Sequence, residues 1–310
     1  MIDTILYGDC RETLKNLTNL SVQTCVTSPP YYGLRDYGGE EKQLGQENSP
    51  KEYIDNLVNV FRIIKDKLSD DGTLWVNLGD SYYNYRPGKG QSYPKQSVSK
   101  TKQDLPDKCN KRGNKLDGLK EKDLIGIPWM FAFAMRDDGW YLRQDIIWHK
   151  PNPMPESVKD RCTKSHEHIF LFSKNKKYYY DNEAIKEPVK QDWGTRNRDA
   201  GKYHNPGTGL QPHSGLTKSY ERKNKRDVWT ITNKPYKGAH FAVFPPDLIE
   251  PCILAGSERG DIILDPFMGS GTTGMVAKKH GRNYIGCELH EDYASLQTDR
   301  IDSIPSQLVL

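Results

Sequence analysis

Residues 261–274, DIILDPFMGSGTTG, restrict the possible folds more than any other stretch of the chain. DIILD reads as a short buried strand that stops at Asp265-Pro266, where proline has no N–H to donate to a ladder. A glycine-rich turn follows, and then a helical segment, TTGMVAKKHG. Strand, glycine turn and helix together place peptide N–H groups at the carboxyl end of a strand, where open α/β sheets bind ligands. Gly269, Gly271 and Gly274 have the spacing of a dinucleotide fingerprint, and Glu288 lies 19 residues beyond Gly269, at the end of the next strand, YIGCE. An acidic residue there can take ribose hydroxyls. The plainer reading is a tight strand-to-helix turn that binds nothing.

Asp265 discriminates between ligands. A carboxylate at this strand end would repel a pyrophosphate in a partly buried site. A ligand with a cationic ammonium, a ribose diol and an adenine fits better, and S-adenosylmethionine (SAM) has all three. Asp265 would take the ammonium, directly or through water, and Glu288 the diol. Gly269 and Gly271 would let the backbone approach closely.

A second strand end carries the other unusual motif. In VTSPPYYGLRDYG (26–38) an apolar run ends in Pro-Pro and is followed by two tyrosines. Pro29 and Pro30 donate no N–H, but the carbonyls of Ser28 and Pro29 are held stiffly with lone pairs free. The Ser28 hydroxyl adds an acceptor, and Tyr31 offers a flat face. Together Ser28, Pro29, Pro30 and Tyr31 describe a pocket for a planar ring bearing an amino group. Acceptors aimed at that –NH₂ would draw its lone pair out of the ring and leave it able to attack a methyl sulfonium. Such catalysis is positioning and electrostatics. The alternative is a strand terminator with surface tyrosines.

Seven strands are expected: 4–9, 22–28, 72–79, 141–150, 167–174, 261–265 and 284–288. Helical patterns lie at 50–68, 123–139, 246–258, 272–281 and 291–301, the third of them interrupted or capped near Pro251. The alternation predicts a mostly parallel sheet covered on both faces. Charge is unevenly placed. Residues 86–122 and 186–237 each carry a net +7 in a chain of net +4, leaving −10 elsewhere. Two basic inserts on an acidic core suggest a polyanion partner, with solvated loops as the alternative. The expected division is residues 1–85 and 123–185 as core, 86–122 as a basic insert, 186–237 as a target-recognition region, and 238–310 as the cofactor half. The apolar runs are far shorter than the ~20 residues of a membrane span. The N-terminus, with an acidic third residue and no basic region, does not read as a signal peptide.

Both motifs and their surroundings resemble the amino-methylating DNA methyltransferases, which modify cytosine N4 or adenine N6. TSPPY comes first and DPFMGSGTT last, an order similar to the circularly permuted β group of that family. ILYGDC, GTLWVNLGDSY, HEHIFLFSK and HFAVFPPDL look like the family too. The resemblance implies a permuted Rossmann-like SAM-dependent methyltransferase fold on a seven-stranded sheet. It also implies Asp9 near the cofactor adenine, and Phe241, Phe244, Pro245 and Phe267 walling the pocket. Ser270 and Thr272 would contact the methionine portion. Double-stranded DNA is the implied substrate, with the target base flipped out and stacked on Tyr31. SPPY is the family's usual cytosine-N4 form, and DPPY or NPPY its usual adenine-N6 form, so cytosine is favoured and adenine is the alternative. A cytoplasmic enzyme of prokaryotic or phage origin, monomeric or homodimeric, with a cognate restriction endonuclease as a candidate partner, is expected.

Other residues carry weaker signals. In KSYERKNKRDVW (218–229), Arg222, Lys223, Lys225 and Arg226 stand between Tyr220 and Trp229 and are candidates for DNA contact. Cys252, in a Pro-Cys pair, lies in an apolar stretch and reads as a core residue, not a nucleophile. The six scattered cysteines read as reduced thiols, and Cys162, His166 and His168 lack paired metal-ligand spacing, so no metal is expected. His149-Lys150 ends a strand close to the candidate site. Three other functions use the same features: a nicotinamide-dependent oxidoreductase, a catalytically silent DNA-binding module, and an RNA methylase.

Overall fold

A computed structural model describes residues 2–33, 43–83, 118–189, 221–233 and 244–304. Most of both basic inserts, including Tyr220, lies outside the described residues, as does Phe241.

The chain opens with β1 (Thr4–Tyr7), the short helix α1 (Cys10–Thr13) and β2 (Val22–Thr27), followed by α2 (Pro50–Lys67) and β3 (Leu68–Leu78). Ser49 caps α2 by accepting from the Glu52 N–H, and Pro50 occupies the first turn, where its missing N–H costs nothing. Tyr53, Ile54, Leu57, Val60, Phe61 and Ile64 form its buried face at helical spacing. α3 (Ile127–Asp137), β4 (Tyr141–His149) and β5 (His166–Ser173) come next. Two-residue strands β6 (Glu187–Pro188) and β7 (Arg222–Lys223) pair outside the main sheet, and β8 (Val228–Thr230) joins it. The chain then runs through α4 (Pro246–Gly256), β9 (Ile262–Asp265), α5 (Thr272–Lys279), β10 (Asn283–Glu288) and α6 (Ala294–Asp302).

The main sheet has the order β1-β10-β9-β2-β3-β5-β4-β8. The first five strands of that order are mutually parallel, and β5 runs against both its neighbours. Among the described residues the sheet therefore has eight strands and not the expected seven. The missing one, β8, is a three-residue edge strand beside β4 inside a basic stretch, too short to show a period. Its Trp229 is buried at 5% exposure beside Trp148 in the cluster that includes Ile249, so this aromatic belongs to the core and not to a nucleic-acid surface.

One face of the sheet packs against α2 and α3 through residues such as Leu57, Phe61, Phe131 and Phe172. The other packs against α4 and α5 through Leu248, Ile253, Val276 and Ala277. α4 runs unbroken through Pro251, and Cys252 lies buried within it at 1% exposure, its thiol pushed far up by burial.

β9 lies between β10 and β2, and the chain reaches those neighbours from opposite directions. That is a topological switch point, where a crevice opens at the carboxyl ends of the strands. Because β5 is antiparallel to β3, its first residues lie at this same rim, and so does the end of β4.

Candidate active site

The two motifs meet at the switch point. Thr27, the last residue of β2, donates from its hydroxyl to Asp265 Oδ1 at 2.6 Å, across 238 residues of sequence. Asp265 ends β9 and is 1% exposed. Its Oδ1 also accepts from the Phe267 N–H at 3.0 Å, and its Oδ2 accepts from the Thr273 hydroxyl at 2.6 Å. These three donors hold most of a carboxylate's roughly four lone-pair sites. The geometry thus gives Asp265 an organising position: it ties the glycine loop, the start of α5 and the end of β2 together.

The loop needs its glycines. Gly269 and Gly271 have φ of +51° and +80°, left-handed values that cost a side-chain-bearing residue strain. Glu288, 8% exposed at the end of β10, accepts from the Gly269 N–H through Oε2 at 2.8 Å and from the His290 N–H through Oε1 at 3.0 Å. α6 supports the loop from behind. Gln297, wholly buried, donates to the Gly269 carbonyl at 2.6 Å and accepts from the Tyr7 hydroxyl at 2.8 Å. Arg300 donates to the Ser270 hydroxyl at 2.5 Å. Ser270 is buried with its hydroxyl on α6, and Thr272 is buried at the first turn of α5.

Neither Asp265 nor Glu288 has a cationic hydrogen-bond partner among the described residues; their donors are hydroxyl and peptide groups. Burial, only partly offset by those donors, pushes Asp265 up to about 6. Burial does the same to Glu288, with Asp265 adding to it, and lifts it to about 7. Two buried acids without a countercharge suit a ligand that brings its own positive charge. SAM, with its sulfonium and ammonium, fits that requirement.

Asp9 follows β1, whose Tyr7 is in register with Glu288, and the Gly8 N–H donates to the Glu288 carbonyl. The Asp9 carboxylate caps α1 and forms a bidentate pair with Arg11 at 2.6 Å. Phe267 is partly buried against the α2 side of the core. Phe244 packs partly buried beside the α4 side, and the buried Pro245 is the N-cap of α4.

Ser28, Pro29, Pro30 and Tyr31 continue directly from β2. The Pro30 carbonyl accepts from the Tyr53 hydroxyl at 2.8 Å, which anchors the tetrapeptide to α2. Tyr31 is half-buried, with one side of its ring against Gly79. A Cβ at position 79 would lie 2.7 Å from Tyr31 Cε2, so glycine is what lets the ring sit there.

Sequence reasoning missed the group that holds the Tyr31 hydroxyl. It donates to Glu167 Oε2 at 2.8 Å and accepts from Asn77 Nδ2 at 2.7 Å. Asn77 also donates to Glu167 Oε2 at 2.9 Å, and Lys150 pairs with Glu167 Oε1. Burial acts to raise Glu167, but Lys150 and the hydrogen bonds from Asn77 and Tyr31 outweigh it and hold the carboxyl below its usual range. The one available hint was an acidic residue at the start of an otherwise apolar strand, HEHIFLF.

The four basic candidates in the second insert are engaged locally. Arg226 and Lys223 pair with Glu187 at 2.6 and 3.4 Å, Arg222 donates to the Lys186 carbonyl, and Lys225 lies over the Trp229 ring. His168 pairs with Asp145 at 2.9 Å, and Cys162 is exposed.

A mostly parallel sheet with a glycine loop at its switch point and the Ser-Pro-Pro-Tyr tetrapeptide on the adjoining strand is the α/β methyltransferase architecture, here in permuted chain order. Within that class, the chain belongs to the N6/N4 DNA methylase family, whose model matches residues 22–299. It is 46% identical over 302 residues to the Type II methyltransferase M.SmaI of Serratia marcescens, covering 96% of this chain and 90% of that protein. It is 44% identical over 306 residues to the Type II methyltransferase M.Cfr9I of Citrobacter freundii, covering 99% and 90%. Among solved structures, the cytosine-N4-specific PvuII DNA methyltransferase superposes with a TM-score of 0.63 at 20% identity, covering 99% of this chain and 88% of that one. A complex of M1.HpyAVI with SAM superposes at 0.53 and 19% identity, covering 96% and 98%.

Proposed function

We propose that this protein transfers a methyl group from SAM to the N4 amine of a cytosine flipped out of duplex DNA at a specific site. The observation that carries the reading is the Thr27–Asp265 hydrogen bond, 2.6 Å long, which sets the SPPY acceptor edge directly beside the glycine loop. When bound, SAM would supply an electrophilic methyl carbon. Glu288 would accept from the ribose hydroxyls through its remaining lone pairs, and Gly269 and Gly271 would admit the ligand against the backbone. Asp265 would hold the loop, adding its negative charge to the side facing the ammonium. Asp9, Phe244, Pro245, Phe267 and Thr272 would line the adenine and methionine ends, and Ser270 would act through its tie to Arg300.

On the base side, Ser28 Oγ and the stiff carbonyls beside it would accept from the target amine, and the Tyr31 ring would stack on the base. A neutral serine accepts a hydrogen bond without imposing a full charge, in keeping with cytosine, and the PvuII neighbour named above is cytosine-N4-specific. The described part of the second insert would help to hold DNA phosphates through Arg222, Lys223, Lys225 and Arg226. As a relative of Type II methyltransferases, the protein would act beside a restriction endonuclease.

The test is incubation of the protein with labelled SAM and duplex DNA of mixed sequence, followed by digestion to nucleosides. N4-methylcytosine is expected. N6-methyladenine would move the substrate to adenine, and no labelled nucleoside from any duplex would remove the reading.

A further inference from the structure

Ser28 would need to accept from the target amine, yet a hydroxyl can equally donate. The surroundings of Tyr31 decide which. Glu167 carries only acceptors, so the Tyr31 hydroxyl hydrogen, 2.8 Å away, must point at it. Asn77 sends one N–H to Tyr31 and the other to Glu167. The reverse amide orientation would face Oδ1 towards the carboxylate, so Glu167 also sets the direction of Asn77. The cost is visible: Asn77 is 4% exposed, and its Oδ1 is buried without a hydrogen-bond partner. Lys150 faces the opposite carboxylate oxygen, and its ammonium also sits 4.0 Å from the Trp148 ring centroid. With its hydrogen committed to Glu167, the Tyr31 oxygen is left only as an acceptor. Its remaining neighbour is Ser28 Oγ, 3.5 Å away.

We propose that Glu167, paired with Lys150, is a positioning residue that sets the polarity of the tetrapeptide, drawing the Ser28 hydrogen towards Tyr31 and leaving the Ser28 lone pairs for the target amine. This rests on the reading of Ser28 as the amine's acceptor. It supplies what a serine otherwise lacks at this position, a fixed hydrogen-bond direction, through the Tyr31 hydroxyl, which Glu167, Asn77 and Lys150 in turn hold. Replacing Glu167 by glutamine would put an –NH₂ where the carboxylate oxygen was. Tyr31 could then accept from it and turn its own hydrogen towards Ser28, reversing the polarity.

The experiment measures single-turnover methyl transfer at saturating SAM and DNA, with the SAM Kd measured in parallel, for Glu167→Gln, Tyr31→Phe, the double variant and Ser28→Ala. Glu167→Gln should slow the methyl-transfer step about tenfold or more, the scale of one hydrogen bond to a charged group. SAM affinity should stay within about twofold, because no SAM-side residue is touched. Tyr31→Phe should slow it comparably, and the double variant no more than the slower single one, because Glu167 acts through Tyr31. Additive losses, or equal losses of rate and SAM affinity, would overturn the proposal. So would a wild-type rate for Glu167→Gln while Ser28→Ala is slow, an outcome that leaves the reading of Ser28 intact. A wild-type rate for Ser28→Ala would instead remove the reading of Ser28 and this inference with it. If Glu167→Gln does not fold, Tyr31→Phe decides alone, since it leaves the Glu167–Lys150 pair in place: a tenfold slower step supports the proposal, and an unchanged one overturns it.

Discussion

Two halves of one sheet rim handle the same chemical group in opposite ways. On the β9–β10 side, Asp265 and Glu288 are buried with only hydroxyl and peptide donors around them, and both are pushed up, to about 6 and about 7. On the β3–β5 side, Glu167 is less deeply buried, its side chain 15% exposed, and Lys150 faces it and its carboxyl is held below the usual range. Burial penalises the ionised form in all three; the countercharge differs. Under the proposed function, the carboxylates left without an internal cation would face the cationic SAM, Glu288 through its ribose hydroxyls. A carboxylate already matched inside the protein is free to direct its neighbours' hydrogen bonds. The contrast is what the proposed roles require: a binding site at Asp265 and Glu288, and a scaffold for the tetrapeptide at Glu167.

The most forceful way to break this contrast is Asp265→Ala. It would orphan the Thr27 and Thr273 hydroxyls and the Phe267 N–H together. At about 1–3 kcal/mol for each buried unsatisfied group, partly relieved by rotation of the hydroxyls, a loss of about 4 kcal/mol is expected. Urea denaturation measures it, and a loss below about 1 kcal/mol would show that Asp265 does not organise the rim.

Lys150→Met turns Glu167 into a carboxylate like Glu288. Breaking a largely buried ion pair costs about 3 kcal/mol, again read from denaturation. The acid limb of the methyl-transfer pH profile should also move towards neutrality, since Glu167 loses the charge that opposes its burial. An unmoved profile would mean that the ionisation of Glu167 does not bear on the rate.

A pH series sharpens the comparison from the other side. A cationic ligand favours ionised Asp265 and Glu288, and both are raised above ordinary values. Binding should therefore be fullest above about pH 8 and weaken as the pH falls through about 7 and then 6. Kd should rise about tenfold between pH 8 and pH 6, with protons released on binding at neutral pH. Calorimetry in buffers of different ionisation enthalpy tests this, and a flat profile would mean that SAM does not lean on these carboxylates.

The smallest effect belongs outside the rim. Arg226 pairs with Glu187 on an exposed surface, and such pairs contribute little to stability. Arg226→Ala should leave the Tm within error of wild type. If Arg226 holds a phosphate, the salt slope of DNA binding should fall by about 1. An unchanged slope would remove it from the DNA-contact set.

Much of the site was legible in the chain because its two motifs are local. Gly269 and Gly271 are required where the backbone turns left-handed, Pro29 and Pro30 remove donors at one place, and Glu288 ends the very next strand. Seven strands showed their period, while β8 was too short to show one. Lys150 was legible only as a strand end near the candidate site, Glu167 only as an acidic residue opening an apolar strand, and Asn77 not at all. A polar residue inside a strand looks the same in sequence whether it faces solvent or a partner. The Arg300 tie to Ser270 was hidden for the same reason, since one long side chain joins α6 to the glycine loop.

The sequence by itself determined which groups are on offer: a proline-stiffened tetrapeptide at one strand end, a glycine loop at another, and carboxylates beside that loop. Those follow from backbone rules acting within a few residues. Only the tertiary structure decided that the two ends touch, because adjacency of β2 and β9 is a property of strand order and not of spacing along the chain. It also decided that Glu167 reaches Tyr31, because β5 runs antiparallel and brings its first residues, not its last, to the rim. Which carboxylate gained a countercharge followed from that packing alone.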